Sequence, residues 1–156
     1  MRAGLGAAGS AGLAALQRKE YEIYFLLQMN RQASPKPRTA PDPGVTLSRA
    51  TVRAARYLAV AQSDLADVIG VSAATLSRLA NGRKALEAGS KPWQLAALFV
   101  RLFRSLDAIV GSDDAAARAW LRSDNSALGG VPLTLIHDPA GLVRTVDYLD
   151  AARARI

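Results

Sequence analysis

Apolar residues recur at helical spacing along most of this chain. The clearest case is residues 91–111, "KPWQLAALFVRLFRSLDAIVG", where six apolar positions have the period of a helix with one buried face. They are Leu95, Leu98, Phe99, Leu102, Leu106 and Ile109. A proline lies near the first turn and Gly111 follows the last apolar residue, as expected for the start and end of a helix. We predict one long amphipathic helix here.

Shorter helices are predicted on both sides of it. Residues 11–31 carry an apolar face upstream, and Ser63 and Ser72 precede short apolar patterns as candidate N-caps. Asn81-Gly82 would end the second of these two short helices. The predicted segments after the upstream helix are 46–61, 63–70, 73–82, 112–123, 132–136 and 139–155. No segment alternates as a strand would and no repeat is present, so we predict an all-α fold.

A proline-rich stretch divides the chain. "QASPKPRTAPDPG" has four prolines and a glycine, a composition typical of an extended, solvated linker. We therefore predict an N-terminal extension and linker over residues 1–43, followed by helical domains over 44–90 and 91–156.

Charge and composition narrow the function. The chain has 156 residues, a formal net charge of +7 and no cysteine, which excludes disulfides, thiol catalysis and Cys-ligated zinc. The first sixty residues hold nine lysines and arginines against three acidic residues, which indicates an anionic polymer as a partner. The alternative is a basic tail that only aids solubility. The N-terminus lacks the apolar core of a signal peptide, and no run of 18 apolar residues occurs. We expect a cytoplasmic protein.

The sequence gives little support to the hypothesis that this protein is an enzyme. The single histidine, His137, stands beside Asp138 on a proline-bounded turn, and nothing resembles a nucleophile elbow. "GLGAAG" has no preceding strand, so it does not fit a dinucleotide-binding loop. Asp113 and Asp114 begin a helix, so we interpret them as helix-capping residues rather than metal ligands. We expect no catalytic residue, metal or cofactor.

The segment "QSDLADVIGVSAATLSRL" (62–79) carries the most informative local pattern. Two helices that cross steeply need a small residue where they approach, a glycine in the turn and apolar residues at set offsets. The residues at these places are Leu65, Ala66, Ile69, Gly70, Val71, Leu76 and Leu79. With the Asn81-Gly82-Arg83 that follows, the segment resembles the helix-turn-helix of phage repressors and Xre-like proteins.

That resemblance implies DNA binding, with the second helix in the major groove. Residues facing base edges would be Ala73, Ala74, Ser77 and Arg78, and residues near phosphates would be Gln62, Ser72, Asn81, Arg83 and Lys84. Only Arg78 could make a bidentate contact to guanine, so specificity per half-site should be modest. Binding would then depend on phosphate contacts and dimerisation. The alternative is a motif kept as a scaffold that no longer binds DNA.

A second motif follows in "AWLRSDNSALGGVPLTLIHDPAGLVRTVDYLDAARARI" (119–156). We expect Trp120 to bury its ring under the connection and Asn125 to hold a turn through backbone hydrogen bonds. Gly129 and Gly130 would allow positive φ and a close approach to Trp120, and Pro132 would start the next helix.

This region resembles the toxin-binding domain of Xre/MbcA/ParS-type antitoxins. The matching residues are Trp120-Leu121, Asn125, Leu128-Gly129-Gly130, Pro132-Leu133, Leu135, Gly141, Val146 and Tyr148-Leu149. The resemblance implies that the partner is a RES-domain toxin that consumes NAD, and that the antitoxin covers the entrance of its NAD site. From the residues, Tyr148, Arg153, Arg155 and Ile156 are the candidate toxin contacts, and the alternative is that the C-terminus is a frayed, solvated basic tail.

The two motifs together predict an antitoxin that neutralises its toxin and represses the shared operon, as a homodimer or within the toxin complex. A stand-alone helix-turn-helix repressor, whose C-terminal domain only dimerises or senses a ligand, is the main alternative. An adaptor that does not bind DNA is the third.

Overall fold

Seven helices follow one another in the computed structural model, which describes residues 41–155. They are α1 (Pro43–Tyr57), α2 (Gln62–Ile69), α3 (Ala73–Ala80), α4 (Lys91–Val110), α5 (Asp114–Arg122), α6 (Pro132–Leu135) and α7 (Pro139–Arg153). Residues 41–155 contain no strand, only an isolated bridge between Asn125 and Gly130. The all-α prediction is therefore confirmed. The predicted helix at 11–31 and the toxin contact at Ile156 lie outside the described residues.

Helix α4 is the centre of the packing. It contacts α1 and α2 as well as α5, and it packs most extensively against α7. Phe99, Leu102 and Leu106 are completely buried, and they belong to one apolar cluster that continues into all the longer helices. Leu95, Leu98 and Ile109 are half-buried against that cluster. The predicted apolar stripe is therefore correct, and its middle part forms the core.

The helix ends follow local capping rules at most positions. Ser72, Ser90, Asp113 and Asp138 each accept a hydrogen bond from a backbone N–H in the first turn of α3, α4, α5 and α7. Gly111 ends α4 in the left-handed conformation, as predicted.

Two predicted helix starts were wrong. Helix α1 begins at Pro43 rather than Thr46, because the Asp42 carboxylate accepts from the N–H of Gly44 at 2.7 Å and proline is suited to the first helical position. Ser63 is not an N-cap. Helix α2 begins one residue earlier, at Gln62, and its N-cap residue Ala61 offers no side-chain acceptor.

The end of the first helix was also predicted too late. The sequence favoured a helix to residue 61, but α1 ends at Tyr57. Ala59 has φ of +51°, a left-handed conformation that is uncommon for a residue other than glycine and that interrupts the helix.

Gly141 allows two helices to meet at close range. A Cβ at this position would collide with the carbonyl oxygen of Leu135, at the end of α6. The φ of Gly141 is that of an ordinary helical residue, so the constraint is space and not backbone conformation. The α6–α7 corner therefore requires a residue without a side chain here.

Asp150 joins α7 to α4 through polar contacts at the edge of the core. The buried Ser105 hydroxyl donates to its Oδ1 at 2.5 Å, and Arg101 Nε donates to its Oδ2 at 2.7 Å. The hydrogen bond from Ser105 is the main cause that lowers the pKa of Asp150, with Arg101 adding to it against the opposing effect of burial.

We expect Gly141→Ala to lower the free energy of unfolding by about 1–3 kcal/mol, the usual cost of overpacking. The loss should appear although alanine favours a helix over glycine by about 1 kcal/mol. The reverse change at an exposed position of the same helix, Ala151→Gly, is the control and should cost no more than about 1 kcal/mol. Urea unfolding measures both. A Gly141→Ala variant as stable as the unchanged protein would contradict the close approach.

Asp150→Asn should destabilise the fold by about 1–2 kcal/mol at pH 7, because the neutral amide has only one acceptor oxygen and binds Ser105 and Arg101 less strongly than the carboxylate does. The folded state lowers the pKa of Asp150 below its ordinary value of 3.8, so the ionised carboxylate stabilises the fold above that pH. This stabilisation disappears as the pH falls through the folded-state pKa.

The difference in unfolding free energy between the unchanged protein and Asp150→Asn should therefore be constant near neutrality and shrink below about pH 4. Asp147→Asn, an exposed carboxylate on the same helix, is the control and should show no such difference. A gap that persisted unchanged at pH 3 would contradict the role of the charge.

Candidate functional site

The α2–α3 corner has the geometry that a helix-turn-helix requires. Gly70 ends α2 with φ of +68°, and the N–H of Val71 reaches back to the carbonyl of Ala66 at 2.9 Å. No neighbouring atom crowds Gly70, so glycine is needed here for its left-handed backbone. The predicted corner residues Leu65, Ala66, Ile69, Leu76 and Leu79 are all buried, and Val71 is half-buried. The predicted helix-turn-helix is confirmed.

Helix α3 turns the predicted base-reading residues outward. Ala73, Ala74, Ser77 and Arg78 are all exposed, and their spacing places them along one helix face. Leu76 and Leu79 hold the opposite face in the core. On this exposed face, only Arg78 has a long side chain.

The predicted phosphate contacts fall into two groups. Gln62 is the exposed first residue of α2, and Ser72 caps α3 by accepting from the N–H of Thr75 at 3.2 Å. Asn81, Arg83 and Lys84 are exposed together at the other end of α3. The backbone N–H groups of Arg83 and Lys84 both donate to the carbonyl of Arg78, at 2.8 and 3.2 Å, which fixes this turn.

Asn125 closes the loop between α5 and α6. Its side-chain Oδ1 accepts from the N–H of Ala127 at 3.0 Å and of Leu128 at 3.2 Å. Its own N–H donates to the carbonyl of Gly130, and its carbonyl accepts from Gly129 at 2.9 Å. Gly129 has φ of +78°, as the sequence predicted, and Pro132 begins α6 in a buried position. The expected role of Asn125 in the turn is confirmed.

The nearest atoms on the open side of the two glycines do not belong to Trp120, with which the sequence suggested a close approach. A Cβ on Gly130 would meet only the side chain of Leu135, at 3.6 Å, and a Cβ on Gly129 would meet nothing within 4 Å. The indole of Trp120 is half-buried and stacks on the ring of Tyr148, with 6.3 Å between ring centroids and an interplanar angle of 19°. Trp120 therefore packs against α7 through Tyr148.

The outer face of α7 carries the predicted toxin contacts. Leu142, Val146 and Leu149 are buried in the core, which confirms the predicted stripe. Tyr148 is 36% exposed beside Trp120, and Arg153 and Arg155 are exposed at and beyond the end of the helix. Arg153 lies 4.0 Å from Asp150, so it extends the Arg101–Asp150 pair toward the end of α7.

Sequence reasoning missed two arginines that connect the two motifs. Arg118 donates through Nε to the carbonyl of Tyr57 at 2.7 Å, and Arg122 donates to the carbonyls of Leu58 and Ala59 at 3.1 and 2.6 Å. We call Arg118 and Arg122 the arginine clamp. Carbonyls at the C-terminus of a helix lack partners and attract cations, so the clamp satisfies the end of α1. The four-residue spacing of the two arginines was the only signal in the sequence.

His137 forms a second connection between the motifs. Its ring nitrogens lie 3.8 Å from Asp64 and 4.0 Å from Asp67, both on α2. The neighbouring Asp138 serves as the N-cap of α7 and accepts from the N–H of Gly141 at 3.0 Å. Within residues 41–155, no three histidine or acidic side chains are grouped as metal ligands would be.

None of the seven helices is long and apolar enough to cross a membrane. No curated protein matches the sequence at a significant level. Two family models do match. The antitoxin Xre-like helix-turn-helix domain matches residues 39–101, which contain α1, α2 and α3. The antitoxin Xre/MbcA/ParS C-terminal toxin-binding domain matches residues 105–155, which contain the Asn125 loop and α7. The chain therefore belongs to the antitoxins in which an Xre-like helix-turn-helix domain is followed by an Xre/MbcA/ParS C-terminal toxin-binding domain.

Proposed function

We propose that this antitoxin neutralises a RES-domain toxin that consumes NAD and represses the operon that encodes both proteins. The observation that carries the proposal is the order of the two matched domains, a DNA-binding motif followed by a toxin-binding domain. The functional division runs between residues 44–90 and residues 91–156. The protein acts in the cytoplasm as a homodimer, by binding and without catalysis.

The toxin contact is assigned to the outer face of α7 and the residues that follow it. Tyr148 and Trp120 form a stacked aromatic pair, which offers a large contact area with little rotamer freedom left to lose on binding. Arg153 and Arg155 extend beyond this pair, where they can form charge-assisted hydrogen bonds to carboxylates or carbonyls at the rim of the NAD site. The toxin would be inhibited because its NAD can no longer enter.

The DNA contact is assigned to the exposed face of α3. Arg78 would read a guanine in the major groove, while Ala73 and Ala74 could contact only thymine methyl groups. A dimer would place two such helices on two half-sites, which compensates for the small number of base contacts in each.

We expect co-expression of this protein to restore growth to cells that express the RES-domain toxin. Arg153→Ala/Arg155→Ala should lose the rescue and raise the Kd for the toxin at least about tenfold, because one charge-assisted hydrogen bond contributes about 1.5 kcal/mol or more. A chain ending at Ala152 should behave in the same way. It retains Asp150 and its contacts with Ser105 and Arg101, so the fold of α7 is preserved.

The matched control is Arg83→Ala/Lys84→Ala, which removes the same charge from the α3 end and should rescue growth fully when expressed from a foreign promoter. Rescue by the Arg153→Ala/Arg155→Ala variant would move the toxin contact to another part of the domain. A harmless neighbour gene product that does not bind the protein would favour the stand-alone repressor.

Operator binding should depend on Arg78. We expect Arg78→Ala to weaken binding to the DNA upstream of the operon by about 1–3 kcal/mol, and to leave binding to a scrambled fragment of equal length nearly unchanged. Fluorescence anisotropy at fixed salt measures both, with Arg104→Ala on the exposed side of α4 as the control. Equal affinity of the unchanged protein for both fragments would show that α3 does not read sequence.

A further inference from the structure

Helix α1 carries a row of arginines that the helix-turn-helix assignment does not use. Arg49, Arg53 and Arg56 are all exposed, and their spacing of four and three residues places them on one side of the helix. Arg53 also lies over the ring of Tyr57, 5.9 Å from its centroid. Like charges at this spacing destabilise a helix, so repulsion within the row opposes the stability of α1, although Arg56 favours the helix end.

These arginines line a groove between α1 and the end of α3. A cavity of about 410 Å³ is bounded by Arg49, Arg53 and Arg56 on one side and by Asn81 and Gly82 on the other. A second cavity of about 200 Å³ shares Arg49 and Gly82 with the first and extends to Arg83 and Lys84. We call the two cavities together the arginine groove.

The arginine groove carries positive charge that no acidic side chain in its lining neutralises. Five cationic side chains line it and no carboxylate does. None of the ion pairs between residues 41 and 155 involves any of these five side chains. Clustered charges of one sign in a concave surface raise the local concentration of a ligand of opposite sign.

We propose that the arginine groove holds the phosphate backbone of the DNA whose bases meet α3, a step that rests on the DNA binding proposed above. The groove adjoins the reading face, because Asn81 ends α3 and lines the groove at the same time. Arg49 and Arg56 are seven residues apart, about 10 Å along the helix. Such a row is long enough to contact more than one phosphate of a strand.

The composition of α3 explains why such a contact is needed. Its exposed face has one long donor, Arg78, and two alanines, so few base contacts contribute to affinity. Phosphate contacts from α1 supply affinity that does not depend on sequence, and they fix the register of α3 in the major groove. A polymer fits this arrangement better than a single nucleotide, because the five cations lie along two connected cavities.

The test is the double variant Arg49→Gln/Arg53→Gln in the full chain. Arg56 is left intact because it lies in the last turn of α1, where a cation stabilises the helix end. Binding to the DNA upstream of the operon and to a scrambled fragment is measured by fluorescence anisotropy over a series of salt concentrations. Arg104→Gln/Arg144→Gln removes two exposed arginines from α4 and α7 and is the charge-matched control.

We expect the double variant to bind both fragments on the order of tenfold to a hundredfold more weakly at about 0.1 M salt, with an unchanged ratio between them. The slope of log K against log salt concentration should become less steep by about 2 for each bound protomer. Arg49→Lys/Arg53→Lys should restore both affinity and slope, which separates lost charge from damaged folding.

Each other outcome is decisive. If the unchanged protein binds DNA and Arg49→Gln/Arg53→Gln binds with the same affinity and slope, the arginine groove is not a phosphate site, and the assignment to α3 stands. A loss confined to the operator fragment would mean that α1 reads bases and would also overturn the proposal. If the unchanged protein binds neither fragment, the proposed repression fails and the groove proposal fails with it.

Discussion

The burial of α4 is the constraint on which both functional surfaces depend. Phe99, Leu102 and Leu106 have no exposed surface, and burying each such side chain contributes about 1.5–3 kcal/mol. The covering surface comes from α1 and α2 of the helix-turn-helix and from α7 of the toxin-binding domain. The two family matches meet inside this helix, since one ends at residue 101 and the other begins at residue 105. The matched domains therefore share one core.

Hydrogen bonds determine the relative orientation of helices that apolar packing brings together. The arginine clamp satisfies three carbonyls at the end of α1. Within the helix-turn-helix domain, the N–H of Leu86 also donates to the buried Ser48 hydroxyl of α1 at 2.9 Å. In residues 41–155, every buried side-chain nitrogen or oxygen has a hydrogen-bond partner. Hydrogen bonds require a narrow range of distance and angle, so they fix how α1 and α5 meet, which apolar contact alone does not.

Sequence reasoning succeeded where a short segment determines its own conformation. The left-handed turn at Gly70, the Ser72 cap and the Asn125 loop each depend on residues within five positions of one another. It failed where the partner is distant. The arginine clamp binds carbonyls more than sixty residues away, and Trp120 stacks on a ring that only the folded α7 brings near. The start of α1 was a different kind of failure, because Asp42-Pro43 is a local helix-start pattern that the density of prolines obscured.

A single core bears on how a bound toxin would affect the proposed repression. Residues 41–155 form one compact unit, so under the function proposed above a toxin on α7 would keep a fixed position relative to DNA on α3. Toxin binding would then change the proposed repression without a change in the shape of the antitoxin. The outcome would depend on whether toxins on neighbouring copies fit side by side along the operator, since contact between them would add to affinity and overlap would exclude one copy. Because α3 offers few base contacts, the free energy gained or lost between neighbouring toxins would be large compared with the sequence-specific binding free energy of one antitoxin copy.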